Sequence, residues 1–400
     1  MKDVKIYPVN DQLYMLRVED RKIKYFEGIW EIPEGMVYNA YLLKTPEGAM
    51  LFDTVKEDYA DSFLEALFSL VAPQEIKHIV IHHMEPDHSG ALPAVLQKVD
   101  PQVNVWGIAF TKRLLVNLYG LTPNFQTVRE DNALEFGGHS LSFIPAPWLH
   151  WPETMVTHIT DWNYLISGDI FGGYGIPEDF MDDNEQQVED FLPLARKYFT
   201  TVIGHYKDYV ARNFAQLEAR GLKPEMILPA HGLGWRKHPE RIYDAYQKWG
   251  EGSVKPGKIV VSYTSMYGFV ERAIKVVIED LKARGLEVEV FRYTDDHRTS
   301  LADFIGTLPD AQAVILATAT YEGGIYPPMR QMIEEMIHKA NFNKPLLIFA
   351  SYGWAGAAGR EMRALFEKSA YRLVDTIEYN SLLQEKDRER ICQGIEKLLA

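Results

Sequence analysis

The stretch HHMEPDHSG, residues 82–90, places three histidines, a glutamate and an aspartate in a single short segment. It begins inside IKHIVIHH, residues 76–83, which reads as a buried-type strand, and runs into SGALPAVLQKV, which has helical spacing. The segment is therefore expected to be a strand-to-helix crossover loop. His83, Glu85 and Asp87 stand at i, i+2 and i+4, so an extended path aims all three to one side. His88 follows at the mouth of the helix. His82 falls one step out of phase and reads as a structural residue. Further donors lie downstream: His150 in APWLHWPETM, Asp169 in LISGDIF and His231 in ILPAHGLGW. Each sits where an apolar strand gives way to a Gly- or Pro-containing loop, the usual place for a site.

The whole chain sets bounds on what such a site can serve. Four hundred residues, 46% hydrophobic and 24% charged, describe an ordinary globular protein of two domains. A net charge of −14 argues against nucleic acid, which is bound through clustered Lys and Arg. No apolar run is long enough to span a membrane, and the N-terminal residues alternate like a strand and lack a signal-peptide core. The lone cysteine, Cys392, rules out an internal disulfide, a Cys-based zinc site and a cysteine-held iron–sulfur cluster. It reads as a small core residue of a C-terminal helix, and a reducing cytoplasm is the expected compartment.

Two rhythms divide the chain. Residues 1–251 contain short strands broken by turns, with helices such as YADSFLEALFSLV and the long amphipathic stretch from Gln186 to Gly221. That pattern implies a sheet-on-sheet core flanked by helices. The polar segment KWGEGSVKPGK, 248–258, reads as a linker. Over 252–400 strand and helix alternate strictly through KIVVSY, LEVEVFRY, AQAVILAT, KPLLIFAS and YRLVDTIEY, which describes a doubly wound parallel sheet.

The order HxExDH, His, Asp, His resembles the metallo-β-lactamase superfamily, an αββα sandwich. LFDTV, with Asp53, resembles the first signature of that fold, where the aspartate serves as a turn or supporting residue. Zinc hydrolases of the fold carry a second histidine where Glu85 stands here. The seven donors are four imidazoles and three carboxylates, a mixture that suits a redox-active iron pair better than a zinc pair. Three negative charges can hold two divalent ions and still tolerate their oxidation.

The glutamate-bearing motif resembles the flavodiiron proteins, and the similarity extends over essentially the whole chain. By that resemblance His83, Glu85 and His150 hold one iron, Asp87, His88 and His231 the other, and Asp169 bridges them. The 61 residues between His88 and His150 and the 18 between His150 and Asp169 match the family's spacing. Where parts of the family carry a histidine in an N-terminal FHG segment, this chain reads YFEGIW, with Glu27. Tyr25, Glu27 and Trp30 are expected to line the pocket, and His205 is either a supporting residue or an ordinary helix position.

Three strand-end loops of the second half resemble those of flavodoxin and imply FMN. The first is Ser265, Met266, Tyr267, Gly268, Phe269 and Val270, a phosphate cradle at a helix N-terminus. The second runs Thr318, Ala319, Thr320, Tyr321, Glu322, Gly323 and Gly324. The third runs Ser351, Tyr352, Gly353, Trp354, Ala355 and Gly356, and with the second it supplies Gly-rich backbone and aromatics for an isoalloxazine ring. Val270 replaces the Thr that many flavodoxin-like loops place before the helix acid. No GxGxxG fingerprint is present, which argues against direct nicotinamide binding.

The resemblance implies a flavodiiron oxidoreductase that reduces dioxygen to water, nitric oxide to nitrous oxide, or both. Flavin and diiron each hold two electrons, and dioxygen needs four. It further implies a head-to-tail homodimer or dimer of dimers, with a separate rubredoxin as donor docking near Tyr321, Glu322 and Trp354. The alternatives are a dizinc hydrolase with an appended flavodoxin, disfavoured by Glu85, and a pure electron-transfer module, disfavoured by the complete donor set.

Overall fold

The computed structural model describes residues 4–129 and 133–400. They form two compact units. One runs up to Phe199 and resumes over Tyr206–Gln247, and the other comprises Thr200–His205 and Lys248–Ala400.

Among the described residues, the first unit stacks a seven-stranded sheet on a five-stranded one. The larger sheet runs Val4–Pro8, Leu13–Asp20, Met36–Thr45, Gly48–Phe52, Ile76–Val80, Asn104–Gly107 and Phe125–Thr127 in spatial as in chain order. The smaller runs Ala133–Phe136, His139–Pro145, Met155–Ile159, Tyr164–Gly168 and Met226–Pro229. Alternate residues of both sheets meet in one core: Leu13 and Met15, Tyr41 and Leu43, and Met50 and Phe52 pack with Leu141, Phe143, Met155, Ile166 and Leu228. This is the period of two expected of strands with one face buried. Helix Ala60–Leu70 covers the first two strands, and helix Pro239–Glu251 anchors through Tyr246, whose hydroxyl donates to the Gly172 carbonyl at 2.9 Å. That helix extends into the segment expected to be linker.

Three local expectations are corrected. The strand before the histidine motif ends at Val80, because Asp53 Oδ1 takes the His82 N–H at 2.8 Å and ends the ladder. Pro86 then opens a short helix, Pro86–Ser89, so the path through the motif is extended only as far as Glu85. The stretch from Gln186 to Gly221 is not one helix type throughout. Glu185–Tyr198 gives way to a π turn at Phe199–Ile203 and a 3₁₀ turn at Gly204–Tyr206 before Lys207–Ala219. Gly204 packs so closely on the Lys339 carbonyl that a Cβ there would collide with it, so this turn is shaped by packing within the second unit.

The second unit is a parallel sheet in the order Glu287–Tyr293, Lys258–Thr264, Ala313–Tyr321, Pro345–Tyr352, Arg372–Asn380. Short strand Gly324–Ile325 folds back on Thr320 and Tyr321. The order of connection reverses between Lys258–Thr264 and Ala313–Tyr321, the switch point at which doubly wound sheets bind ligands. Cys392 is exposed, contrary to expectation. The inner face of helix Glu385–Leu399 is Ile391, Ile395 and Leu398, at i, i+4 and i+7, and Cys392 lies one step around from it. Among the described residues no helix is long and apolar enough to cross a membrane.

His78, in the strand leading to the motif, tests the first unit's response to acid. Its Nδ1 accepts the Trp106 indole N–H at 3.0 Å, and its ring meets Phe136 edge-on at 4.7 Å. Burial lowers its pKa to about 4 from 6.5. The unfolded chain therefore takes up a proton that the folded one resists, and stability should fall as pH drops through that window. His78→Phe keeps a ring but has nothing to protonate. Thermal unfolding midpoints between pH 7 and 4 should decline less steeply for this variant than for the wild type. Parallel decline would contradict the assignment.

Candidate metal centre

The site begins with a residue that is not part of the cluster. His82 is turned away from it, with Nδ1 2.5 Å from Asp53 Oδ2 and Nε2 2.9 Å from Thr157 Oγ1. Asp53 adopts a positive φ of 55°, a conformation aspartate tolerates better than most residues. With His82 anchored, the next residue, His83, faces the opposite way. The His82 backbone is tied down too, since the Met155 N–H donates to its carbonyl across the sheets at 2.9 Å.

All seven donor residues expected from the sequence come together. Their atoms fall into three overlapping groups, each within 4.8 Å: His83, Glu85, His150 and Asp169; His83, Asp87 and His88; and His88, Asp169 and His231. Asp169 is the shared member of the first and third. Its Oδ2 lies 2.9 Å from His150 Nε2 and 3.3 Å from His83 Nε2. Its Oδ1 lies 2.9 Å from His88 Nε2 and 3.3 Å from His231 Nε2. Glu85 Oε2 sits 2.8 Å from His150 Nε2 on one side, and Asp87 Oδ2 sits 3.4 Å from His88 and 3.5 Å from His231 on the other. The arrangement has two halves, with one oxygen of Asp169 in each.

The donor chemistry fits two cations. His83 Nε2, His150 Nε2, Glu85 Oε2 and both oxygens of Asp87 and of Asp169 are buried without a hydrogen-bond partner. Such atoms are costly unless something else pairs them. His231 Nδ1 lies 2.8 Å from the Val37 carbonyl, which makes that nitrogen the donor and leaves the Nε2 lone pair free to ligate. His88 Nε2 stands 3.0 Å from His231 Nε2, two basic atoms converging on one point. Electrostatics among the protein groups point the same way. Burial opposes ionisation of Asp169, but His83, His88 and His231 outweigh it and hold that carboxyl well below its usual range. Burial would lower His150, yet Glu85 and Asp169 lift it to about 10. Asp87 is raised, chiefly by burial that its histidine neighbours only partly offset.

Around the donors lies an apolar shell that differs from the one expected. Tyr25 and Glu27 are exposed, and Glu27 Oε2 accepts the Trp30 indole N–H at 3.1 Å. It is Phe26, paired across the hairpin with Trp30, whose ring meets His231 edge-on at 6.3 Å. Tyr38 and Tyr198 also pack on His231, at 5.7 and 5.4 Å. Strand alternation over Tyr25–Phe26 was the signal that could have singled out Phe26; nothing local marks Tyr38 or Tyr198. His205 belongs to the other unit, where its ring stacks on His338 at 4.2 Å.

In the second unit the three loops leave the ends of adjacent parallel strands. Ser265 Oγ accepts the Glu271 N–H at 3.1 Å, and Tyr267 and Gly268 turn the chain at positive φ into helix Phe269–Ala283. Thr320 Oγ1 accepts the N–H groups of Ala357 and Ala358 at 3.1 and 3.2 Å, tying the second loop to the third. Met266 and Ala319 are half-buried, whereas Glu322, Gly323, Gly353, Ala355 and Gly356 are exposed. Aromatics stand out at the rim: Tyr267 is 82% and Trp354 95% exposed, with Tyr321 and Phe269 partly so. Two side chains of the loops are turned inward. Val270 lies in the apolar core against Ile274 and Val277, so only its backbone is available to a ligand. Thr318 is buried with its hydroxyl 2.7 Å from that of Thr264.

Residues 36–232 match the family described as ODP family beta lactamase. The nitric oxide reductase of Moorella thermoacetica is 29% identical over 368 residues, covering 92% of this chain and 90% of that protein. The rubredoxin-oxygen oxidoreductase of Megalodesulfovibrio gigas is 30% identical over 86% of this chain and 85% of its own. Among solved structures, a mutant flavo-di-iron protein from Thermotoga maritima superposes with a TM-score of 0.94 at 40% identity, covering 99% of this chain and 98% of that one.

The two-halved geometry predicts different losses from single substitutions. Asp169→Ala should abolish binding of both metal ions or leave them magnetically uncoupled, whereas His231→Ala should deplete mainly one. Metal analysis with Mössbauer or EPR spectroscopy reads both, and equal loss of a single ion in the two variants would contradict the shared role of Asp169.

Proposed function

The chain belongs to the flavodiiron proteins, and from that premise we propose that it reduces dioxygen to water, nitric oxide to nitrous oxide, or both. It is an oxidoreductase. The observation that carries the proposal is the division of Asp169, with each carboxylate oxygen facing a different set of donors. On this reading His83, Glu85 and His150 would hold one iron, Asp87, His88 and His231 the second, and Asp169 would be shared between them. Bound iron and FMN would supply the electrons for reducing the gas, chemistry that no side chain provides.

The chain's own groups do the rest. Glu85, Asp87 and Asp169 place three negative charges where the metal charge must be balanced, and Glu85 is the donor that favours iron over zinc. Phe26, Tyr38 and Tyr198 pack around His231 and limit water beside it. The Val37 carbonyl keeps the proton of His231 on Nδ1.

Residues 1–251 are assigned to the diiron domain and 252–400 to the FMN domain. FMN is placed at the three loops, with its phosphate at the backbone N–H groups around Ser265–Phe269 and its ring among Tyr267, Tyr321 and Trp354. Exposure of these aromatics supports the placement, since an aromatic left at a switch point gains from a planar partner. Rubredoxin, after which the Megalodesulfovibrio gigas relative is named, is the proposed donor, and a head-to-tail homodimer or dimer of dimers the proposed assembly.

The test is turnover of each gas by purified protein with NADH, rubredoxin and its reductase. Rapid consumption is expected only when rubredoxin is present. Glu85→His should raise zinc content at the expense of iron and abolish turnover. A Glu85→His protein with two irons and full activity, or a wild type that turns over neither gas, would overturn the reading.

A further inference from the structure

We infer that Glu153 is a positioning residue that locks together the two backbone segments carrying His83, Glu85 and His150, and so sets the geometry of one iron and not the other. The inference rests on the iron assignment proposed above. Glu153 is fully buried. Its Oε1 accepts the N–H of Met84 at 2.9 Å, and its Oε2 is buried with no hydrogen-bond partner. Met84 is itself buried, and it stands between His83 and Glu85.

Met84 is held at both of its backbone groups. Its carbonyl accepts from Ser89 Oγ at 2.8 Å, and the same hydroxyl reaches the Glu85 carbonyl at 3.0 Å. Glu153 stands in the loop that also presents His150, and the Trp151 ring between them meets His83 edge-on at 6.2 Å. One hydrogen bond thus spans 69 residues of chain and joins every segment that supplies a donor to the first half of the site, apart from the shared Asp169. The second half is held by other means. Thr54 donates from its N–H and its hydroxyl to the His88 carbonyl, at 2.7 Å each. Arg17 and Asn39 hold the His231 loop through the carbonyls of Gly232 and Pro229.

A carboxyl buried with one oxygen unpaired is a poor way to stabilise a fold. An apolar residue would pack as well, but it would leave the Met84 N–H without an acceptor. The value of Glu153 is therefore in where it puts its neighbours, and groups of this kind shift metal affinity by about 10–100-fold when altered.

Two variants of the full-length holoprotein separate reach from charge. Glu153→Asp keeps the carboxyl but is one methylene too short to reach Met84, and Glu153→Gln keeps the reach with an amide oxygen as acceptor. Proteins loaded with iron-57 are challenged with the chelator 2,2′-bipyridine, and iron loss is followed together with Mössbauer spectra. Glu153→Asp should lose one of two irons roughly 10-fold faster than wild type. One quadrupole doublet should shift while the other and the FMN content stay unchanged. Glu153→Gln should resemble wild type. The inference is overturned if Glu153→Asp retains both irons normally, if it loses both at the same accelerated rate, or if Glu153→Gln loses iron as fast. Should Glu153→Asp not fold, Glu153→Gln decides alone: wild-type retention and doublets support the inference, and accelerated loss refutes it. A wild type that holds no iron would instead overturn the assignment on which the inference rests.

Discussion

A carboxylate buried at 0% exposure, with two imidazoles on each of its oxygens, is the constraint from which the first unit follows. Taking Asp169 and its two carboxylate neighbours out of water costs several kcal/mol per charge before any partner is counted. No lysine or arginine approaches any of the three among the ion pairs of the described residues. Four imidazoles, with lone pairs directed inward, reduce the cost only where cations complete the set. Backbone bonds aim several of these side chains, and Phe26, Tyr38 and Tyr198 pack beside His231.

Aim is achieved by the ends of strands. His83 follows the strand Ile76–Val80 of the larger sheet, while His150, Asp169 and His231 come from loops at the ends of strands in the smaller one. Each loop is then bonded to another segment. Met155 donates to the His82 carbonyl, Asn39 to that of Ala230, and His231 Nδ1 faces that of Val37. Asp53 and Thr157 between them occupy both ring nitrogens of His82. These bonds fix the donor positions to the cores of both sheets, so rigidity at the site is inherited from packing far from it. The second unit uses a simpler device. Strand order reverses beside Lys258–Thr264, and loops carrying exposed aromatics leave the strand ends there.

Much of this is legible in the chain itself, and the reason is local chemistry. Strand alternation in residues such as Leu13 and Met15, or Tyr41 and Leu43, is written directly by which face is buried. The parallel sheet announces itself through runs such as Lys258–Thr264, which is buried on both faces. The seven clustered residues are identifiable because His, Asp and Glu crowded at strand ends are not what packing alone would select. Where local pattern is the only guide and tertiary contacts have the last word, expectation and structure part. Phe26, not the neighbouring Tyr25 or Glu27, meets His231, and Cys392 turned outward.

The sequence by itself determined the two rhythms, the seven candidate donors and the presence of Glu85 among them. These depend on residue type and spacing, which are properties of the chain alone. Only the tertiary structure decided that Asp169 splits its oxygens between two halves, that Phe26, Tyr38 and Tyr198 surround His231, and that Glu153 holds the Met84 peptide. It also decided where the stretch from Gln186 to Gly221 changes helix type, through the fit of Gly204 against the Lys339 carbonyl. Each of those outcomes joins residues far apart in the chain, and such pairings are settled by the packing of whole sheets rather than by any short run of residues.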